Sequence, residues 1–279
     1  MGIAQDILED WHASFAALSW WQELGVLDPI GEATVDRYAL PAADPHAPQR
    51  AAVPAQAQRP QGRPAAPAPE PEAPKIDPVA VSRQMAAACP NREALQEALA
   101  AYPHCELKKG ARNTVLADGN PQARVMIIGE APGADEDRQG LPFVGRAGQM
   151  LDRMFAAIGL ARSAPDASAS VYITNVMPWK PPGNRDPSPA EIAMMLPFLE
   201  RHVALIDPDV IVLMGNIPAQ AVLRQRGITK LRGTWTQAMA KPVLPMLHPA
   251  YLLRNPIAKR EAWADLLALQ AHLREQPRP

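Results

Sequence analysis

Four short, mainly apolar runs alternate with helical patterns in the second half of the sequence. The runs begin at Val125, Val171, Val210 and Val243 and read VMIIG, VYITN, VIVLM and VLPML. Runs of this kind are typical of strands covered on both faces in a parallel sheet, and strands that alternate with helices are joined by right-handed crossovers. The sequence therefore predicts the α/β class: a three-layer α/β/α sandwich with a central four-stranded parallel sheet.

Helix signals lie between these strands and before the first of them. Residues 146–158, 188–206, 216–226 and 258–273 have helical patterns, and Ser188 and Glu191 form a capping box around a proline. Residues 77–102 indicate two short alanine-rich helices, with Asn91 as the N-cap of the second. We expect these two helices to begin the folded domain.

A stretch rich in proline and alanine precedes this domain. Between Pro41 and Pro78 the sequence holds 11 prolines and 11 alanines, with Val53 and Ile76 as its only branched aliphatic residues. Such a composition buries too little apolar surface to offset the entropy of ordering a core. We therefore predict three regions: an amphipathic helical segment over residues 1–38, a disordered linker over 39–78 and the α/β/α domain over 79–279.

The N-terminal segment carries a single apolar stripe. Its members, spaced by three or four residues as on one face of a helix, are Ile7, Trp11, Phe15, Leu18 and Trp21. A lone amphipathic helix is marginal in water, so this one must dock on its own domain or on a partner protein. The sequence leaves both alternatives open.

Charge is distributed unevenly along the chain. Residues 1–100 hold 7 Lys and Arg against 13 Asp and Glu, whereas residues 101–279 hold 21 against 16, a net charge of +5. A mildly basic second half permits a polyanionic partner such as nucleic acid without establishing one. No apolar run approaches the roughly 18 residues of a membrane span, and two cysteines without a signal peptide fit a reducing cytosol.

Polar residues follow three of the four predicted strands. Glu130 follows the first, Asn175 ends the second and His248 follows the fourth. Because ligands bind at the carboxyl ends of strands in open α/β sheets, we expect these side chains to share a pocket with Phe143 and the carboxylates of residues 135–137. Each residue alone has an ordinary structural explanation; the joint pattern predicts a site.

Four segments in this order resemble the signature segments of the family-4 uracil-DNA glycosylases. They are GEAPGADED at 129–137, LPFVGRAGQML at 141–151, TNVMPWKPPGNR at 174–185 and LHPAYLLRNP at 247–256. The resemblance implies a monofunctional DNA glycosylase that flips uracil out of DNA, hydrolyses its N-glycosidic bond and so begins base-excision repair.

The resemblance implies roles for the predicted pocket residues. Phe143 would stack on the flipped uracil, and the Asn175 amide would offer a donor and an acceptor to its Watson–Crick edge. His248 would donate to uracil O2 as negative charge develops there. Glu130 and Glu136 match the two motif carboxylates that position water or stabilise the sugar cation, and the more important of the two is left open.

Further residues follow from the same resemblance. Ala131, in the uracil-binding loop, stands where other glycosylase families carry an aspartate, so the chain resembles the branch that works without it. Leu252 or Leu253 would enter the base stack as an apolar wedge, with packing in the core as the alternative. Candidate DNA contacts are Lys180, Asn184, Arg185, Arg232, Tyr251, Leu252, Leu253 and Arg254, with Lys230 as a further cation.

The chain departs from this family at the cofactor. Family-4 enzymes typically hold a four-iron four-sulfur cluster on four cysteines, and the matching positions here are Tyr102, Cys105, Trp179 and Met195. One cysteine, or two with Cys89, cannot supply four thiolates. We predict that the iron–sulfur cluster is absent, that no metal is bound, and that Trp179 and Met195 fill the vacated volume as core residues.

Two functions are consistent with the sequence. The retained Glu130, Glu136, Asn175 and His248 favour an active glycosylase, and the lost cluster ligands keep open a non-catalytic or weakly active module that binds uracil or abasic sites. A Rossmann-type nucleotide-binding enzyme is disfavoured, because GEAPG is not G-x-G-x-x-G and no Walker lysine follows. We expect a cytoplasmic, nucleoid-associated monomer that binds uracil-containing DNA, with the N-terminal helix as a candidate contact for a protein partner.

Overall fold

The computed structural model of the protein describes residues 76–276. The predicted amphipathic helix at the N-terminus and nearly all of the predicted linker lie outside this range. Within it, the chain forms a six-stranded sheet with helices on both faces. None of the helices in this range combines the length and the apolar character that a membrane span requires.

Six strands form the sheet: β1 Ala117–Gly119, β2 Val125–Gly129, β3 Val171–Asn175, β4 Val210–Met214, β5 Thr236–Ala238 and β6 Lys241–Met246. Their spatial order is β1-β3-β2-β4-β6-β5. Strand β2 pairs in parallel with β3 and β4, and β4 pairs in parallel with β6, whereas β1 and β5 run antiparallel at the two edges.

The fold is α/β as predicted, but the sheet is mixed and has six strands, where we predicted four parallel ones. The two additional strands, β1 and β5, are three residues long. Their sequences, ADG and TQA, contain no apolar run, because short edge strands whose residues are half-buried (β1) or mainly exposed (β5) need none. These strands exist through pairing with a neighbour, which no local pattern reveals.

Alternate residues of the central strands enter two separate cores. Met126 and Ile128 pack in a core on one face of the sheet, and Val125 and Ile127 pack in a second core on the other face. All four side chains are fully buried, which explains the continuous apolar run of β2. Burial of each such side chain contributes about 1.5–3 kcal/mol.

Helices cover both faces of the sheet. The α-helices of the described range are α1 Pro78–Ala87, α2 Arg92–Ala101, α3 Leu107–Gly110, α4 Ala134–Gln139, α5 Arg146–Ala156, α6 Pro189–Ile206, α7 Asn216–Leu223, α8 Ile228–Leu231, α9 Pro249–Arg254 and α10 Lys259–Glu275. Helices α2 and α6 supply much of the first core, and α5 and α10 supply much of the second. The result is a sheet between two helical layers.

Helix caps lie where the sequence predicts them. Asn91 accepts a hydrogen bond from the backbone N–H of Ala94 (2.9 Å) at the start of α2. Ser188 and Glu191 form the predicted capping box at the start of α6, with Pro189 as its first helical residue. Because each cap satisfies backbone donors that the helix leaves free, it contributes about 1 kcal/mol.

Candidate active site at the carboxyl ends of the strands

A pocket of about 580 Å³ lies beside the carboxyl ends of the parallel strands. Glu130 follows β2, Asn175 ends β3 and His248 follows β6, and all three side chains line this pocket. Phe143, from the loop before α5, forms another wall. The structure thus brings together Glu130, Phe143, Asn175 and His248 as expected; of the expected carboxylates at 135–137, Glu136 lines the pocket, whereas Asp135 and Asp137 are not among its lining residues.

The amide of Asn175 presents a buried polar atom to the pocket. Its Oδ1 atom is buried and accepts no hydrogen bond from any residue that the structure describes. Gly129 lies opposite Asn175 in the β2–β3 register, and a Cβ atom added there would lie 2.4 Å from Asn175 Oδ1 and 2.4 Å from Phe143 Cε2. The lack of a side chain at Gly129 therefore keeps the amide and the ring in place.

Phe143 forms the aromatic wall of the pocket. Its ring is mostly buried and stacks on the His248 imidazole with a centroid distance of 5.6 Å and an interplanar angle of 30°. The backbone of Phe143 has φ +53°, a left-handed conformation that is unfavourable for a bulky L-residue. Interactions with the rest of the protein must therefore hold this turn.

Glu136, on α4, supplies part of that restraint. Its Oε1 atom accepts hydrogen bonds from the backbone N–H groups of Val144 and Gly145, both at 2.9 Å, and Oε2 accepts one from Gly133 N–H at 3.1 Å. The carboxylate thus binds one backbone N–H group of the loop after β2 and two of the turn that carries Phe143. This arrangement shapes the pocket wall and engages both oxygens of the Glu136 carboxylate.

Glu130 differs from Glu136 in its surroundings. None of residues 76–276 donates a hydrogen bond to its carboxylate, which lines the pocket. Burial raises the pKa of Glu130 to about 7, and the charge of Asp186 contributes in the same direction, with Arg226 opposing it. A carboxylate that titrates near neutral pH and has free lone pairs is suited to general-base chemistry.

His248 is held as a neutral hydrogen-bond donor. The backbone N–H of Ala250 donates to its Nδ1 atom (3.1 Å) at the start of α9, so the ring proton resides on Nε2. Burial lowers the pKa of His248 to about 4, and the nearby charge of Arg254 acts in the same direction, while Glu136 opposes it. The imidazole is therefore uncharged at neutral pH.

Several of the predicted DNA contacts lie around the pocket. Asn184, Arg185, Tyr251 and Arg254 contribute to its lining, and Ala131 lines it without offering a polar side chain. Asn184, Arg185 and Arg254 are exposed, whereas Lys180, Tyr251 and Leu253 are half-buried; Lys230 is exposed on α8. The Arg185 guanidinium already binds the Glu191 carboxylate at 2.7 and 2.9 Å, which fixes the loop that precedes α6.

Two predicted DNA contacts are corrected by the structure. Leu252 is completely buried in the second core, because α9 turns it toward α5 and α10; it cannot enter a base stack from there. Arg232 is only 18% exposed and binds the carboxylate of Asp265 and the backbone oxygen of Glu261. Its charge is used inside the fold, so we no longer assign it to a DNA phosphate.

The residues at the expected cluster positions form part of the first core. Tyr102, Cys105, Trp179 and Met195 are each at most 2% exposed and belong to the same group of packed side chains. Tyr102 donates its hydroxyl to Pro78 O (2.7 Å), and Trp179 Nε1 donates to Thr114 Oγ1 (3.1 Å). Trp179 and Met195 therefore occupy core volume, as predicted.

These residues do not fit an iron–sulfur cluster. The chain contains two cysteines, Cys89 and Cys105, and a cluster of this type needs four thiolates. Burial raises the pKa of both thiols, which disfavours the thiolate form. Nowhere in residues 76–276 do three or more His, Cys, Asp or Glu side chains gather as a metal site would need.

Two residues that shape the site were missed by the sequence analysis. Asp186 lines the pocket and directly follows the PPGNR segment, so its position beside a recognised motif is a usable signal. Arg162 contacts the backbone of Phe143 from a turn after α5. No local pattern marks Arg162, because its contacts are with residues distant in sequence.

Known proteins share extensive sequence similarity with this chain. The family model described as the uracil DNA glycosylase superfamily matches residues 116–267, more than half of the chain. The type-4 uracil-DNA glycosylases of Archaeoglobus fulgidus and Thermotoga maritima are 38% and 40% identical over 172 and 154 residues, which cover 58% and 54% of this chain and 82% and 77% of theirs. A type-5 uracil-DNA glycosylase of Thermus thermophilus is 33% identical over 122 residues, covering 40% of this chain and 55% of that protein. The resemblance of the four sequence segments is thereby confirmed, and the chain belongs to the uracil DNA glycosylase superfamily.

Proposed function

We propose that this protein is a uracil-DNA glycosylase that hydrolyses the N-glycosidic bond of uracil in DNA and leaves an abasic site. The observation that carries the proposal is the buried Oδ1 of Asn175, which accepts no hydrogen bond from residues 76–276, in a pocket whose other walls include Phe143 and His248. The type-4 relatives at 38% and 40% identity are named for this activity. The pocket and the relatives thus support the same reaction.

Asn175 would select the base. Uracil presents an N3–H donor and an O4 acceptor, which match the amide's Oδ1 and Nδ2, and Phe143 would stack on the ring. Cytosine presents the inverse pattern at the same two positions. Because a buried mismatched group costs about 1–3 kcal/mol, the two mismatches would disfavour cytosine by roughly two orders of magnitude or more.

Glu130 and His248 would act on the two sides of the bond that breaks. A water oxygen bonds to C1′ while Glu130 takes the water proton, and the electron pair of the C1′–N1 bond leaves with uracil. The Nε2–H of His248 would donate to the negative charge that develops on O2. The departing base then takes a proton from solvent and Glu130 releases its proton to solvent, which balances the hydrolysis and restores the carboxylate.

The two motif glutamates would have different roles. Glu130 lines the pocket and its carboxylate accepts no hydrogen bond from the described part of the chain, whereas the Glu136 carboxylate accepts three backbone hydrogen bonds. We therefore assign Glu130 as the catalytic carboxylate and Glu136 as a positioning residue for the loops.

The raised pKa of Glu130 predicts a pH dependence. Activity requires the ionised carboxylate, so excision should rise as the pH increases through about 7 and should level off above it. Removing the neighbouring negative charge with Asp186→Asn should lower this midpoint, and Glu130→Gln should abolish the rise. Single-turnover rates at each pH measure the midpoint; a midpoint that Asp186→Asn leaves in place or moves upward contradicts the assignment.

DNA would be held by residues around the pocket. The exposed Arg254 and Asn184, with Lys180, Arg185 and Lys230, are suited to phosphate contacts. Leu253, which is half-buried, remains the candidate wedge, because Leu252 is completely buried. These DNA contacts are part of the proposal. The proposal also includes a monomeric state, a cytoplasmic, nucleoid-associated localisation and a protein partner for the N-terminal segment.

The proposed enzyme works without an iron–sulfur cluster. Purified protein should contain less than about one tenth of an iron atom per chain and no broad visible absorption of a cluster, because two buried thiols cannot ligate four irons. Iron analysis and an absorption spectrum on anaerobically purified protein check this. Stoichiometric iron with sulfide would overturn it.

A uracil-containing oligonucleotide tests the proposed activity against the binding alternative. The full-length protein should convert the uracil position to an alkali-labile abasic site, and Glu130→Gln should slow this conversion while still binding the oligonucleotide. If the wild type binds the oligonucleotide and leaves no alkali-labile site, the enzyme proposal fails and the binding module stands.

A further inference from the structure

Arg162 is a largely buried cation beside the turn that carries Phe143. Its guanidinium donates from Nη1 to the backbone oxygen of Pro142 (2.9 Å) and from Nη2 to that of Phe143 (2.8 Å). The side chain is 15% exposed. Arg162 thus binds two consecutive carbonyl groups of the pocket wall.

Two carboxylates fix the orientation of this guanidinium. Asp118, at the edge strand β1, accepts from Nη1 (2.9 Å), and Asp152, on α5, accepts from Nε (2.9 Å). Because the arginine fork is rigid and planar, contacts on several of its nitrogens determine its position. Arg162 therefore connects both β1 and α5 to the turn that carries Phe143.

In the turn at residues 142–145, carbonyl groups and N–H groups both have charged partners. Arg162 binds the carbonyl groups of Pro142 and Phe143, and Glu136 binds the N–H groups of Val144 and Gly145. These charge-assisted hydrogen bonds are stronger than neutral ones. Together they offset the unfavourable left-handed backbone of Phe143, whose φ is +53°.

We propose that Arg162 is a positioning residue that sets the Phe143 ring against the flipped base. This inference rests on the proposed function, since it assumes that Phe143 stacks on uracil. Without the guanidinium, the two carbonyl groups lose their donors and the turn can relax, which moves the ring away from the base. Contacts to DNA phosphates lie elsewhere and should be unaffected.

The variant Arg162→Gln tests this role, with Arg124→Gln as its matched control. Arg124 is also buried, binds the carboxylate of Asp209 and donates to the backbone oxygens of Leu273 and Gln276, but it precedes β2 at the end of the sheet away from the pocket. Both variants lose two carbonyl contacts; Arg162→Gln also loses two ion pairs, with Asp118 and Asp152, and Arg124→Gln loses one, with Asp209. Thermal unfolding of both variants measures any general loss of stability separately from kcat.

We expect Arg162→Gln to lower kcat for uracil excision about 100-fold, because small displacements of a positioning group have effects of this size. Its Kd for uracil-containing DNA should change less than about 3-fold, and Arg124→Gln should retain kcat within about 3-fold. Arg162→Lys should recover part of kcat, because an ammonium group can donate to one of the two carbonyl groups but cannot make all of the guanidinium contacts. Equal losses of kcat in both glutamine variants, or an unchanged kcat in Arg162→Gln, would overturn the proposal.

Hydrogen exchange separates failure of this inference from failure of the proposed function. A peptide covering residues 141–148 should exchange faster in Arg162→Gln than in the wild type or in Arg124→Gln, because the turn opens more often. This readout does not need catalysis. If the wild type proves inactive, the proposed function fails, and unchanged exchange in this peptide would still overturn the positioning role on its own.

Discussion

Replacing Asn175 by aspartate should lower the rate of uracil excision about 10²–10⁴-fold. The substitution keeps the shape of the side chain but removes the donor to uracil O4 and places a negative charge beside a base that becomes an anion. The lost hydrogen bond to O4 and the added charge cost ~3–5 kcal/mol together, which corresponds to this loss of rate. Single-turnover excision from a uracil-containing oligonucleotide measures it.

The matched control for this substitution is Asn120→Asp. Asn120 lies in the turn between β1 and β2, where its Oδ1 accepts a hydrogen bond from the backbone N–H of Gln122 (2.9 Å), and it is not among the pocket residues. This variant should excise uracil at the wild-type rate. Full activity in Asn175→Asp would show that the Asn175 amide does not recognise the base.

Replacing His248 by alanine should lower kcat about 10²–10³-fold, the size seen when one preorganised donor to a developing oxyanion is removed. Because the pKa of His248 is about 4, the ring stays neutral over the working range. The ratio of wild-type to variant rates should therefore stay constant between about pH 6 and pH 9.

His272→Ala serves as the control for the histidine substitution. His272 stacks on Trp235 with a centroid distance of 4.3 Å, on α10 and outside the pocket, so its loss should leave kcat unchanged. A rate ratio for His248→Ala that titrates with a midpoint near 6.5 would show that the imidazolium, and not the neutral ring, serves catalysis.

The parts of the fold that were predictable are those with a local signal. The strand that begins at Val125 shows its burial on both faces as an uninterrupted apolar run, and the helix that begins at Pro189 shows its cap in Ser188 and Glu191. The edge strands β1 and β5 have no such signal. Their pairing partners alone define them, which is why the sheet was predicted with four strands.

The residues of the candidate site also fall into those with a local sequence signal and those without one. Glu130, Asn175 and His248 could be predicted because each ends a recognisable strand, and parallel strands end at a common edge. The burial of Leu252 and the ion pair of Arg232 with Asp265 depend on how α9 and α10 pack. Those packing relations arise between distant residues, so charge and hydrophobicity along the chain did not reveal them.

The roles of Glu130 and Glu136 show why spacing alone could not rank the two carboxylates. Both belong to the same motif, yet Glu136 is bound by three backbone N–H groups and Glu130 faces the pocket without a hydrogen bond from the described residues. The difference depends on where the Phe143 turn folds back on α4. Only the tertiary structure contains that information.

The most direct test of uracil excision is the identity of the base that is released. Oligonucleotides that differ only in carrying uracil, cytosine or thymine at one position are incubated with the full-length protein, and the free bases are quantified by mass spectrometry. The proposed pocket predicts release of uracil in equal amount to the abasic sites formed, with cytosine release lower by roughly two orders of magnitude or more. Binding of the uracil oligonucleotide with no base released, or release of cytosine at a comparable rate, would contradict it.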